Sequence, residues 1–479
     1  MRNEIEQVLN EKFGYPSFRP GQRKAIETIL SGKDSLVMLP TGTGKSLCYQ
    51  LPAYLKTGTT LVISPLLSLM QDQVENLRLQ GEKNVVALNS LTPYSERNRI
   101  FSNLEKYRFI YTSPEMLQNN EILQQLKKIK INHFIVDEAH CISHWGTDFR
   151  PDYLVLTHVR KELGNPPTMA LTATATKRVR NEIIDFLGLD RSSTEQIIQS
   201  VDRPEIKYIV EHCEGNKFEK IIYYTKQING PGIIYFTSKK IAEETAERLR
   251  SHYQIRAESY HSDIEADDRI KIQQQFLENK LQIICATSAF GMGFDKKDIR
   301  FVIHYHLPAS PEMYLQEVGR ASRDGHESLA ILLYEKGDEY IQHNFIQESL
   351  PAKDDLIWVK QNKKKNAYEQ DALLKLADYF IQRYPNINEA LAKINERKQI
   401  KNQQLYYMLQ YIGTDCCKRQ YLLKYFEETL EEELEVCCIS CGFVLEKLFK
   451  TLNSIQSFDY EEGLTLIGWE KQFKQLYNI

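Results

Sequence analysis

Residues 34–52 read DSLVMLPTGTGKSLCYQLP, an apolar run, a turn punctuated by glycines and closed by Lys45 and Ser46, then a second apolar run. A strand that ends in glycines and hands over to a helix leaves backbone amides at the helix start, aimed at any anion lying there. Glycine lets the chain wrap close to phosphate oxygens, Lys45 neutralises charge between β- and γ-phosphates, and the Ser46 hydroxyl suits Mg2+. The strict eight-residue pattern asks for glycine where Leu39 stands. The nucleotide reading therefore rests on Thr41, Gly42, Thr43, Gly44, Lys45 and Ser46.

The surrounding sequence alternates short strand-like runs with helical stretches. DSLVML, TTLVIS, NVVALN, RFIYTS, HFIVDE and TMALTA are β-branched and apolar throughout, the pattern of strands buried on both faces in a parallel sheet covered by helices. A second series, GIIYFTS, RAESYHS, LQIICATS, IRFVIHYHL and SLAILLYE, follows a polar segment near 190–204. Beyond about residue 338 the strands cease and charged helical sequence takes over, with a lysine run at 363–365 read as a solvated helix face. We expect three units, 1–203, 204–338 and 339–479. The chain has 479 residues, 42% hydrophobic and 26% charged, with a formal net charge of −3. That balance gives no global basic field, so a nucleic-acid partner requires local patches. No apolar run approaches the ~18 residues that span a bilayer, and the acidic start is unlike a signal peptide, so a cytoplasmic chain without a membrane partner is expected.

Two further constellations complete the chemistry. HFIVDEAH delivers Asp137 to the end of a buried strand, where it can hold the Mg2+ shell, with Glu138 beside it to polarise an attacking water. YLQEVGRASRDG spaces Gln316, Arg320 and Arg323 at i, i+4 and i+7, read as one helical face that could reach a γ-phosphate across a cleft. Lysine, hydroxyl, paired carboxylates and arginines are what phosphoryl transfer needs.

In order, TGTGKS, SPLLSLMQDQV, DEAHCISHWG, ALTATAT, ATSAFGMGFDK and QEVGRASRDG resemble the RecQ family of superfamily 2 DNA helicases over most of the chain. The resemblance implies two tandem RecA-like parallel-sheet domains followed by a mainly helical zinc-binding C-terminal region. In FGYPSFRPGQ it implies that Tyr15 and Arg19 flank adenine and that Gln22 bonds its edge. It makes the loop after DEAH a sensor of single-stranded DNA. Trp145 and Phe149 offer faces on which bases stack, worth roughly 1–3 kcal/mol per base, and Arg150 can meet phosphate. Further candidate strand contacts are Ser64, Ser68, Thr172, Thr174, Ser238, Lys239 and Thr287. Hydroxyls at helix starts hold phosphates but equally cap helices. Departures from the family pattern are His144 and Thr147 in the aromatic loop and Ser322 where glycine is usual.

Five of nine cysteines crowd into CCKRQYLLKYFEETLEEELEVCCISCGF, in a reducing compartment a metal site rather than disulfides. Resemblance to the RecQ zinc module makes Cys417, Cys437, Cys438 and Cys441 the Zn2+ ligands, with Cys416 the alternative to Cys417. The chain has 38 residues after Cys441, below the ~50-residue floor of an ordinary domain, so the winged-helix and further helical modules of longer relatives are not expected there. The implied function is ATP-dependent 3′-to-5′ unwinding of single-stranded, tailed or branched DNA in repair or recombination, by a monomer using ATP and Mg2+, with a single-stranded-DNA-binding protein as candidate partner. The alternatives are a DNA-stimulated ATPase that remodels or anneals with little unwinding, and an RNA helicase.

Overall fold

The computed structural model describes residues 2–90, 92–143, 149–291, 294, 296–362, 371–430, 437–442 and 444–462. The first sheet comprises β1 (Ser35–Met38), β2 (Thr59–Ile63), β3 (Val85–Leu88), β4 (Phe109–Thr112), β5 (Ile131–Val136), β6 (Thr168–Thr172) and β7 (Glu195–Ile198). All pairs are parallel, in the order β3-β4-β2-β5-β6-β1-β7. The second holds β8 (Ile206–Cys213), β9 (Gly232–Tyr235), β10 (Ala257–Tyr260), β11 (Ile283–Ala286), β12 (Phe301–His304) and β13 (Ser328–Glu335). Its order is β10-β11-β9-β12-β13-β8, again parallel.

The central strands are the continuous apolar runs of the sequence, and they are buried on both faces. β7 and β8, by contrast, fall in and beside the stretch read as a polar connector. EQII and IKYIVEHC mix polar with apolar residues because each closes one edge of its sheet, where burial is less complete than in the central strands. The chain crosses from one lobe to the other between Ile198 and Ile206.

Sheet order positions the site. β1, which feeds the glycine turn, and β5, which feeds DEAH, both flank β6, with Met38 opposite Thr172 and Val136 opposite Ala170. Three strand ends therefore converge at the carboxyl edge, where open parallel sheets bind ligands.

Beyond β13 come helices Asp338–Glu348, Lys353–Gln361, Ala372–Arg383, Ile387–Gly413, Lys418–Tyr425 and Leu445–Glu462. The 27-residue helix Ile387–Gly413, about 40 Å long at 1.5 Å per residue, lies against the second lobe. There the Tyr314 and Tyr411 rings meet at 5.6 Å and Gln404 Nε2 donates to Glu312 Oε1 at 3.3 Å. Leu448, Phe449 and Leu452 of the last helix enter the second lobe's core. The outer edge of β8 is covered as well, since Tyr208 N donates to Cys437 O at 3.3 Å and Tyr208 bridges Cys438, masking an otherwise open sheet edge. Among the described residues no helix is long and apolar enough to cross a membrane. The lysine run at 363–365 lies outside the described residues.

Candidate nucleotide and nucleic-acid site

Gly42 and Gly44 have φ of 80° and 77°, the left-handed region that glycine enters without strain. At Gly42 a side chain is also excluded by contact, since an added Cβ would come within 2.6 Å of Arg323 Cγ. Lys45 Nζ donates to Leu39 O at 3.3 Å. Burial lowers its pKa, and the nearby Glu138 and Asp137 carboxylates oppose that shift. Helix Leu47–Leu55 starts immediately after Ser46.

Across β6, Asp137 is pushed up to about 7, first by desolvation and then by repulsion from Glu138, while Lys45 pulls it down. Its Oδ1 accepts from Glu138 N at 2.9 Å, and Tyr153 Oη donates to its carbonyl at 3.1 Å. Glu138 stands at φ 47°, ψ 47°, a conformation that costs a non-glycine residue on the order of 1–3 kcal/mol and tends to occur at functional sites. Its Oε2 is buried, with His140 Nδ1 3.3 Å away. An ammonium, a hydroxyl, two carboxylates and helix-start amides around one strand edge fit a magnesium nucleotide. Bound there, the metal would neutralise phosphate charge. Lys45 would hold the phosphates, and Asp137 with Ser46 would hold the metal.

The arginines depart from the sequence reading. Helix Pro311–Val318 ends at Gly319 and Ser322 turns left-handed at φ 57°, so Gln316, Arg320 and Arg323 do not share one helical face. The backbone at Gly319 also runs close to the glycine turn, where an added Cβ would lie 2.8 Å from Leu315 O and 3.3 Å from Thr41 Cβ. Gln316 remains on the helix. Arg320 donates to Gly291 O and Arg323 Nη1 to Phe294 O at 2.8 Å, and Arg323 is close enough to Lys45 to depress its pKa. The left-handed backbone at Ser322 also gives a physical reason for glycine being usual there.

Gln22 is buried and its amide engages the glycine turn: Nε2 donates to Thr43 O at 2.8 Å and Gly44 O at 3.1 Å, and Oε1 accepts from Arg19 N at 2.8 Å. In this arrangement it braces the loop rather than presenting a free edge to a base. Arg19 donates to Gly42 O, and Tyr15 is exposed.

The candidate strand contacts divide. Trp145, with His144 and Thr147, lies outside the described residues. Phe149 packs edge-on against Tyr379 at 5.6 Å with Arg397 over its ring at 4.8 Å, tying this segment to the C-terminal helices. Arg150 Nη1 donates to Pro65 O at 2.7 Å. Thr172 is fully buried, its hydroxyl 3.0 Å from His140 Nδ1 and donating to Thr174 O at 3.1 Å, so it links motifs rather than facing a strand. His140 Nδ1 is also 3.3 Å from the Glu138 carboxylate. Ser64 is buried and Ser68 begins a helix, its side chain outside the described residues. Ser238 caps helix Lys239–Tyr253, accepting from Ile241 N at 3.3 Å, and Lys239 pairs with Asp263 at 2.6 Å. Thr287 lines a cavity of about 220 Å3 with Tyr235, Thr237, His304, His306 and Phe345.

The sulfurs of Cys417, Cys437, Cys438 and Cys441 lie within 4.8 Å of one another; Cys416 is exposed and outside the group. Four of their six Sγ–Sγ separations are 3.2, 3.4, 3.4 and 3.9 Å. Zinc–sulfur bonds of about 2.3 Å require tetrahedral edges of about 3.8 Å, so the set fits Zn2+ with small adjustments. Lys418 N and Gln420 N donate to Cys438 and Cys417 at 3.2 and 3.5 Å, the outer-sphere support a thiolate site needs.

Known proteins match this arrangement. Residues 19–183 match the DEAD/DEAH box helicase model, 216–325 the helicase conserved C-terminal domain and 374–443 RecQ zinc-binding. The chain is 43% identical to the Bacillus subtilis protein described as "Probable ATP-dependent DNA helicase RecS", over 99% of this chain and 98% of that one. It is 41% identical to Pasteurella multocida ATP-dependent DNA helicase RecQ, over 71% of this chain and 54% of the relative, and so spans about half that relative's length. The fold is similar to that of Mycobacterium smegmatis helicase Lhr bound to ssDNA and AMP-PNP, at TM-score 0.58 and 21% identity, covering 78% of this chain and 55% of that one.

Proposed function

The chain belongs to the RecQ family, and on that premise we propose that it is an ATP-dependent DNA helicase that moves 3′ to 5′ on single-stranded DNA and opens duplexes in repair or recombination. One observation carries the reading. Arg323 of the second lobe packs against Gly42 of the glycine turn, where a Cβ would meet its Cγ at 2.6 Å, on the same turn that carries Lys45 towards Asp137 and Glu138 of the first lobe. Nucleotide between them would join the lobes, and hydrolysis would part them, shifting a strand laid over both. Lys45, Asp137, Glu138, Gln316, Arg320 and Arg323 are the proposed catalytic set, and the units divide at 203/204 and 338/339. A single-stranded-DNA-binding protein is a candidate partner, and a monomer in the cytoplasm is the expected state.

Tyr15, Arg19 and Gln22 would serve the adenine only if the Gln22 amide exchanged its loop contacts for the base. Among strand contacts Trp145, Phe149, Thr174, Ser238 and Lys239 remain the better candidates, because Ser64, Thr172 and Thr287 are buried. Lys45→Ala should abolish ATP hydrolysis while DNA binding persists. Turnover by that variant would remove the glycine turn from the active site. Hydrolysis by the natural chain without strand release would favour the remodelling or annealing ATPase instead.

A further inference from the structure

Arg203 belongs to none of the motifs above. It stands in the crossing between β7 and β8, and each of its five guanidinium hydrogens has an acceptor within reach. Nη1 donates to Thr41 O at 3.0 Å and Gly319 O at 3.4 Å. Nη2 donates to Ser322 O at 2.6 Å and Ala321 O at 3.3 Å. Nε donates to Glu205 Oε2 at 3.3 Å. Thr41 belongs to the glycine turn, whereas Gly319, Ala321 and Ser322 form the backbone that carries Arg320 and Arg323. One planar cation thus holds carbonyls of both lobes in fixed register, something the point charge of lysine cannot do.

The segment bearing Arg203 is itself held from behind. Buried Arg419 donates through Nη2 to Arg203 O and Pro204 O, each at 3.2 Å, and to Ile206 O, and its Nη1 lies 3.4 Å from Asp202. Glu428 accepts from Val201 N at 3.2 Å and from Ser200 Oγ. Arg419 sits two residues after Cys417, in a helix whose first amides donate to the cysteine sulfurs. The cysteine cluster, the crossing and the glycine turn form a connected chain of contacts.

We infer that Arg203 is a positioning residue that registers the arginine-bearing turn of the second lobe on the phosphate loop of the first, and that Arg419 of the cysteine module fixes the crossing from which it acts. This rests on the ATPase reading above. The arginines reach phosphate only if their backbone is held at the right distance, and a displacement of about 1 Å in such a geometry costs on the order of 100-fold in rate. Nucleotide affinity, by contrast, comes mainly from Lys45 and the loop amides of the first lobe, which Arg203 does not supply.

The test measures steady-state ATPase with a saturating DNA oligonucleotide, and the Kd of a fluorescent ATP analogue, on full-length natural chain, Arg203→Ala, Arg203→Lys and Arg419→Ala. Arg203→Ala should lower kcat on the order of 100-fold while Kd stays within about threefold, and millimolar methylguanidinium should restore part of the rate. Arg203→Lys should behave like the alanine variant, and Arg419→Ala should lower kcat by a smaller factor in the same direction. Unchanged kcat in both Arg203 variants overturns the inference. So does weakened Kd at constant kcat, which would make Arg203 only a brace of the phosphate loop. A rate loss that follows a fall in melting temperature and resists methylguanidinium would also overturn it, as a purely structural effect. If the natural chain itself fails to hydrolyse ATP, the motor reading falls first and takes this one with it.

Discussion

Replacing Asp137 with asparagine should abolish ATP hydrolysis and yet make the protein more stable at pH 8. Its carboxyl titrates near 7 in the fold against an ordinary 3.8, because burial and the Glu138 carboxylate together outweigh Lys45. An acid whose pKa is raised on folding binds its proton more tightly in the native state, so ionising it destabilises the fold. The penalty is absent below about pH 4, grows as pH climbs from there to about 7, and then levels off at about 4 kcal/mol. Asparagine keeps an oxygen to accept from Glu138 N, now at 2.9 Å, and carries no charge. Urea unfolding followed by circular dichroism, without nucleotide or Mg2+, should place the Asp137→Asn midpoint above that of the natural protein at pH 8. The gap should shrink below about 2 kcal/mol at pH 5. Equal stabilities at pH 8, or a less stable variant, would refute the claim that this carboxylate is held in an unfavourable place for the sake of metal binding.

Three further outcomes are expected. Because Asp137 must shed its proton to meet Mg2+, the Mg2+ concentration for half-maximal ATPase should rise by up to about tenfold per pH unit below about 7; a constant value between pH 6 and 8 would argue against Asp137 as a metal contact. Trp145→Ala should leave basal ATPase nearly intact and lower its stimulation by DNA, with a stacked base worth roughly 1–3 kcal/mol; an unchanged stimulation ratio would exclude it as the coupler. Cys441→Ser should reduce bound zinc, measured by elemental analysis, and lower the melting temperature; full occupancy would overturn the ligand set.

The parallel sheets were legible because strands buried on both faces must be apolar throughout, and DSLVML and HFIVDE could hardly be anything else. The glycine turn and DEAH followed from local chemistry, since each is complete within a few residues. Edge strands β7 and β8 were not legible, as incomplete burial at the sheet edge let polar residues break the run. The helical face assigned to Gln316, Arg320 and Arg323 failed because the helix ends at Val318 and the backbone turns left-handed at Ser322. Thr172 was assigned to a strand on its hydroxyl alone. The sheet register instead sets it beneath His140. Arg203, Arg419 and Arg397 act through carbonyls and a ring far away in sequence, and spacing along one chain carries no signal for such contacts. Cys437 and Cys438 are neighbours in sequence, yet both serve the cluster. Both sulfurs come within 3.4 Å of Cys441 because Cys438 is extended and the chain then turns at Ile439–Cys441.

The most direct test of the motor is displacement of a labelled strand from duplexes with a 3′ or a 5′ single-stranded tail, in ATP and Mg2+, alongside Lys45→Ala. Release from the 3′-tailed duplex by the natural chain alone is the predicted result. Brisk hydrolysis with no release from either substrate, or release from the 5′-tailed one only, would contradict it.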